Sequence, residues 1–116
     1  MPNMNNLILY QKVYDLILYS FPIISRFPKH QKHVLAQQIQ NSMLNLSSLI
    51  TQANVFGVKN KLQKIQMVDV EFEKLKLLIR LAHDLGFLSH DRYKIFSEKF
   101  VEIGKILGGW MKSYST

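Results

Sequence analysis

Cysteine is absent from this 116-residue sequence, which excludes disulfides and thiolate-held metals. Prolines number 3 and glycines 5, so little in the chain interrupts a long helix. Acidic residues are scarce as well: 8 Asp+Glu stand against 15 Lys+Arg, a net charge of +7 that suits an anionic partner, most often nucleic acid. Strand-like alternation of apolar and polar side chains is missing. So is an unbroken apolar span, because the most apolar run, Leu7 to Ile24, is interrupted by Gln11, Lys12 and Asp15. With no basic stretch at the N-terminus, neither a signal peptide nor a membrane span is expected, and the expected location is cytoplasmic. What the chain has is apolar bulk. At 47% hydrophobic it is too apolar for a disordered segment, and its length suits one domain that an oligomer interface would help.

Apolar positions at alternating three and four spacing predict four helices, at roughly 6–26, 30–55, 60–85 and 89–113. The first would bury Leu7, Tyr10, Tyr14, Ile17 and Phe21. Pro22 would either kink it, by crowding the carbonyl of Leu18, or follow an early stop at Ser20. "FPKH" marks the next turn. The second helix carries Leu35, Ile39, Met43, Leu46, Ile50 and Ala53 on one face, and ends near Gly57. Asn60 and Gln63 have capping-box spacing for the third, whose stripe is Ile65, Val68, Phe72, Leu75, Ile79 and Ala82, with Gly86 as a left-handed stop. Ser89 can cap the fourth, which aligns Tyr93, Phe96, Phe100, Ile103, Leu107 and Trp110. The expected fold class is all-α, an up-down-up-down antiparallel four-helix bundle.

Apolar residues remain after four core stripes are filled. The third helix has Met67, Val70, Leu77, Leu78 and Leu81 roughly opposite its core face, and the first adds Leu9, Val13, Leu16 and Ile24. The second has no charged residue between Lys32 and Lys59. A single core buries one stripe per helix, so Leu9, Val13, Leu16, Met67, Val70, Leu77, Leu78 and Leu81 are read as a homo-oligomer interface. In "EIGKILGGWMKS", Gly104 and Gly108 share a face with Ser97, a row that would admit a neighbouring helix closely, and Trp110 closes the core stripe.

Chemistry finds few footholds. His30 and His33 straddle a predicted helix start without a nearby carboxylate, and no Glu-x-x-His pattern occurs, so no metal site is expected. His83 and His90 flank the Gly86 turn and are read as solvated. No nucleophile elbow, Walker loop or dinucleotide fingerprint is present, and neither catalysis nor a cofactor is expected. The cations are more informative. Lys76 and Arg80 stand one turn apart beside apolar surface, suited to gripping a phosphate or a partner carboxylate. Equally, they could form bridges within the bundle to Glu73 or Asp84. Arg26, Lys29 and Lys32 at the first turn, with Arg92 and Lys94 at the start of the fourth helix, would gather at one bundle end; Lys59, Lys61 and Lys64 would gather at the other.

Three blocks in order, "LILYQKVYDLILYSFPIISRFPKHQKHVLAQQI", "EFEKLKLLIRLAHDLGFLS" and "EIGKILGGWMKS", resemble the four-helix-bundle family that includes the accessory variability determinant, Avd, of bacterial diversity-generating retroelements. Proteins encoded in intervening sequences of 23S rRNA genes belong to the same family. The resemblance implies a homopentameric barrel that binds a reverse transcriptase and nucleic acid, RNA and also DNA, in support of mutagenic copying of a template RNA. The polymerase chemistry would belong to the partner. Lys76 and Arg80 of "EKLKLLIRLAHDL" match basic positions of the family, and Arg26 and Lys29 of "SRFPKH" match its basic first turn. Glu71 and Glu73 depart from it by placing negative charge at mid-helix, and "KSYST" is not a strongly basic tail. The rRNA branch, an RNA-binding or structural protein without a transcriptase, is the alternative.

Overall fold

The computed structural model describes residues 4–114, with side chains placed from Leu7 onward except those of Gln31 and Lys32. Its helices are α1 (Met4–Ile24), a short α2 (Lys29–Gln31) that runs on through a π-helical turn (Lys32–Ala36) into α3 (Gln37–Ala53), then α4 (Lys61–Asp84) and α5 (His90–Lys112). The protein is therefore all-α, with four long helical rods and no strand among the described residues. α1 packs against α3 and α5, and α4 against the same two, so α1 and α4 occupy opposite corners of the bundle.

Three of the four expected core stripes are buried as spaced. Ile39, Met43, Leu46, Ile50 and Ala53 of α3, with Leu35 just before it, meet Ile65, Val68, Phe72, Leu75, Ile79 and Ala82 of α4. α5 adds Phe96, Phe100, Ile103, Leu107 and Trp110, while Tyr93 is half-buried at the edge. Phe72 and Phe100 meet edge to face across the core at 5.8 Å between ring centroids. Trp110 is fully buried, and its indole nitrogen has no hydrogen-bond partner. Apolar area alone holds it there.

α1 is rotated relative to the expectation. Leu9, Val13, Leu16 and Ile24 are fully buried, together with Ser20, whereas Leu7, Tyr10 and Tyr14 are about half exposed. Leu9, Val13 and Leu16 therefore belong to the core and cannot form an oligomer interface. The physical reason lies in the side chains. Both stripes have helical spacing, but the buried one is aliphatic, whereas Tyr10 and Tyr14 carry hydroxyls that would each need a buried partner. Ser20 is tolerated inside because its hydroxyl donates to the Ile17 carbonyl at 3.2 Å and lies 2.8 Å from the Met43 sulfur. Residues 7–24 are long and apolar enough to cross a membrane by length and composition, and their aliphatic stripe is buried in the bundle.

The ends of the rods are also specific. α1 continues through Pro22 to Ile24, so there is no stop at Ser20. Gly57 and Gly86 both take positive φ, +73° and +84°, where a side chain would strain the backbone. Ser89 caps α5 by accepting from the Arg92 amide at 3.2 Å. Asn60 forms no capping box: it sits at φ 58°, in the left-handed region, and its side chain makes no cap bond.

Candidate nucleic-acid and partner interface

Phe27, in the turn after α1, meets Phe87, in the turn after α4, at 5.9 Å between centroids, and both Phe27 and Leu88 are buried. That contact brings the two turns to one end of the bundle. Arg26 and Lys29 are exposed there. The backbone of Lys32 lies in the π-helical turn; its side chain is outside the described residues. Arg92 and Lys94 stand at the start of α5 but point to different sides, because two residues turn a helix by about 200°. Lys94 is exposed, whereas Arg92 is half-buried near Tyr19 of α1. Burial pushes the Tyr19 hydroxyl above its ordinary pKa of 10.0, against the opposing pull of Arg92. The same ring has Lys99 5.1 Å above its centroid and Phe96 edge-on at 5.3 Å.

Lys76 and Arg80 border a groove of about 520 Å³ between α4 and α5, with Glu73, Leu77, Tyr93 and Gly104 also on its walls. Both cations are paired along their own helix. Lys76 Nζ lies 2.8 Å from Glu73 and 4.7 Å above the Phe72 ring; Arg80 Nε lies 3.7 Å from Asp84. The Arg80 side chain remains 71% exposed. Exposed pairs of this kind contribute about 0–1 kcal/mol each. They orient the cations without committing them, and an incoming phosphate can displace the carboxylates cheaply. Glu71 is different. Its carboxylate is turned toward α3, where it accepts from the Ser42 hydroxyl at 2.6 Å and has Lys74 at 3.4 Å. Of the two mid-helix carboxylates, only Glu73 dilutes the charge of the groove.

The sequence reading missed a ring cluster at the turn end of this groove. His83 is not simply solvated. Its ring is stacked on Tyr93 at 4.3 Å and 21°, lies 5.7 Å from His90, and has Nδ1 3.0 Å from Asp84. The signal available in sequence was the spacing of Lys76, Arg80 and His83, which share one face of α4. At the opposite end the expected Lys59–Lys61–Lys64 cluster is thinned, because Lys61 Nζ donates to the Ala53 carbonyl at 2.7 Å and sits 5.9 Å from the Tyr114 ring centroid. Its side chain satisfies a carbonyl at the C-terminal end of α3.

The apolar residues of the outer faces divide cleanly. Met67, Val70, Leu77 and Leu81 of α4 are exposed, by 43 to 70%, while Leu78 is half-buried against the core. Met67 and Val70 border a second groove, of about 530 Å³, between α3 and α4, lined otherwise mainly by Asn, Gln and Ser. On α1 the exposed set is Leu7, Ile8, Tyr10, Tyr14 and Leu18. No group of three or more His, Asp or Glu side chains among the described residues is placed to hold a metal ion.

The fold is an all-α bundle with a groove that Lys76 and Arg80 border. The chain belongs to the bAvd-like family, whose model matches residues 7–114. A comparison with curated proteins finds no match.

Proposed function

We propose that this protein is a non-enzymatic accessory factor of a diversity-generating retroelement, which holds a reverse transcriptase and nucleic acid against the basic face of an up-down-up-down bundle. The family match over residues 7–114 carries this reading. The Lys76–Arg80 groove and the Arg26–Lys29 turn support it, since they set cations at the surface where the resemblance implies basic positions. The ring contact between the first and third turns, with the Lys61–Tyr114 contact at the other end, supports the antiparallel order of the rods.

The working form is a homo-oligomer, a pentamer by family resemblance. Two apolar stripes lie on opposite corners of the bundle: Leu7, Tyr10, Tyr14 and Leu18 on α1, and Met67, Val70, Leu77 and Leu81 on α4. Two unlike stripes pair head to tail, and such a contact closes into a ring when the rotation between copies permits.

A double substitution of Lys76 and Arg80 by alanine tests the function. It should leave the circular dichroism unchanged, weaken capture of the transcriptase encoded beside the gene, and flatten the salt dependence of single-stranded RNA binding. Removing two phosphate contacts should reduce the log–log slope by about 1.4. An unchanged slope and undiminished capture would reject the groove as the binding surface. A gene neighbourhood without a transcriptase would reject the retroelement assignment.

A further inference from the structure

We infer that the turn end of the α4–α5 groove is a base-stacking platform, so that the protein selects single-stranded nucleic acid through nucleobases and not through phosphates alone. The inference rests on the nucleic-acid reading above and names the form of ligand that the site takes. Its basis is a row on α4. Lys76, Arg80 and His83 follow one another at i, i+4 and i+7 on one face of the helix: the two cations border the groove, and the ring comes one turn beyond them. Tyr93 lines the groove from α5 and lies flat against His83 at 4.3 Å. Cations that track a phosphate chain beside aromatic faces that accept its bases are the pairing by which single strands are held.

His90 is the exposed ring of the cluster, where a base would enter. His83 lies flat against Tyr93, and His90 stands 5.7 Å from it, tilted by 53°. A stacked base is roughly 3.4 Å thick, so flanking rings need a separation of roughly 7 Å. The two imidazoles stand closer than that, so a base would enter the wedge by displacing His90, which is exposed at the first residue of α5. Asp84 holds the His83 ring in place through Nδ1 at 3.0 Å. Arg26 and Lys29 stand exposed across the Phe27–Phe87 contact, at the same end, where an emerging strand would run. A duplex, whose bases are already stacked and paired, could use the cations but not the wedge.

The test compares two strands of about 12 nucleotides, within the usual single-strand site size. One is a fluorescent RNA and the other a strand of the same length with abasic sugars, so the phosphates are equal and only the bases differ. The unmodified protein should bind the base-bearing strand about five- to a hundredfold more tightly, the range that one stacked base supplies. His83→Ala with His90→Ala should bring that ratio near one while leaving abasic affinity unchanged. His83→Phe with His90→Phe should keep the preference, because the ring and not the imidazole charge is required. Lys76→Ala with Arg80→Ala should weaken both strands alike. Circular dichroism establishes that each variant is folded. Equal affinity of the unmodified protein for the two strands would overturn the platform and leave phosphate binding standing. So would a folded alanine variant that retains the preference, or a phenylalanine variant that loses it. Binding to neither strand would overturn the nucleic-acid reading itself.

Discussion

Gly104, Gly108 and Gly109 illustrate what a single position can disclose. A methyl group at Gly104 would lie 3.5 Å from the Phe72 ring, an ordinary contact, and one at Gly108 or Gly109 would meet nothing within 4 Å. The isolated chain gains nothing from glycine there and loses about 1 kcal/mol of helix propensity at each. Gly108→Ala should therefore raise the stability of the dissociated subunit by about 0.5–1 kcal/mol in urea unfolding. If the same change weakens self-association, the glycine is kept for a helix of a neighbouring copy. Stability unchanged or lowered in the separated subunit would show that the fold itself requires it. The small-residue row was legible in sequence. Its owner was not, because spacing specifies a face without saying what lies opposite. The ring cluster was hidden for a related reason: His83 and Tyr93 come from different helices, and the Gly86 turn between them decides whether they stack.

At the scale of the helix, α1 separates what sequence reveals from what it conceals. The stripes of α3 and α5 could be read because polar residues bound them, and that of α4 because its second apolar set lies roughly on the opposite face. α1 offers two regular apolar stripes, and only the chemistry of tyrosine distinguishes them. Leu18→Glu lies on the exposed stripe and should preserve helicity while reducing the assembled mass in light scattering. Leu16→Glu, a buried carboxylate without a partner, should abolish folding. Similar behaviour of the two would refute the orientation of α1. The contact of α1 with α5 also carries a pH signature. Lys12 lies 2.6 Å from Glu102, and the hydrogen bond and charge of that carboxylate hold its pKa above the ordinary 10.5; burial does the same for Tyr19 relative to 10.0. Both groups keep their protons longer folded than unfolded. Their stabilisation is complete below about pH 10 and is lost as pH rises through the folded values. Melting temperature should thus fall above pH 10, and Lys12→Met with Tyr19→Phe should blunt that fall. An undiminished alkaline decline in the double variant would place its cause elsewhere.

For the whole molecule, the decisive quantity is mass in solution. With apolar stripes exposed on opposite corners, light scattering at micromolar concentration should report a multiple of 13.6 kDa. A value equal to one subunit would remove the case for assembly, and with it the collective display of cations. The four-helix architecture and the basic character were legible from periodicity and composition. The assignment of cations to tasks was not, because a lysine that caps a helix and one that stands exposed at a groove look the same in sequence.

That division of labour has a directional consequence. Lys61 holds the end of α3 and lies beside the Tyr114 ring, whereas Arg26 and Lys29 stand exposed at the other end and the groove cations pair only along their own helix. Copies joined in a closed ring would present one fastened rim and one receptive rim. Such a ring would be a one-sided object, with Arg26 and Lys29 of every copy exposed on the same side and Lys61 of every copy spent on the reverse.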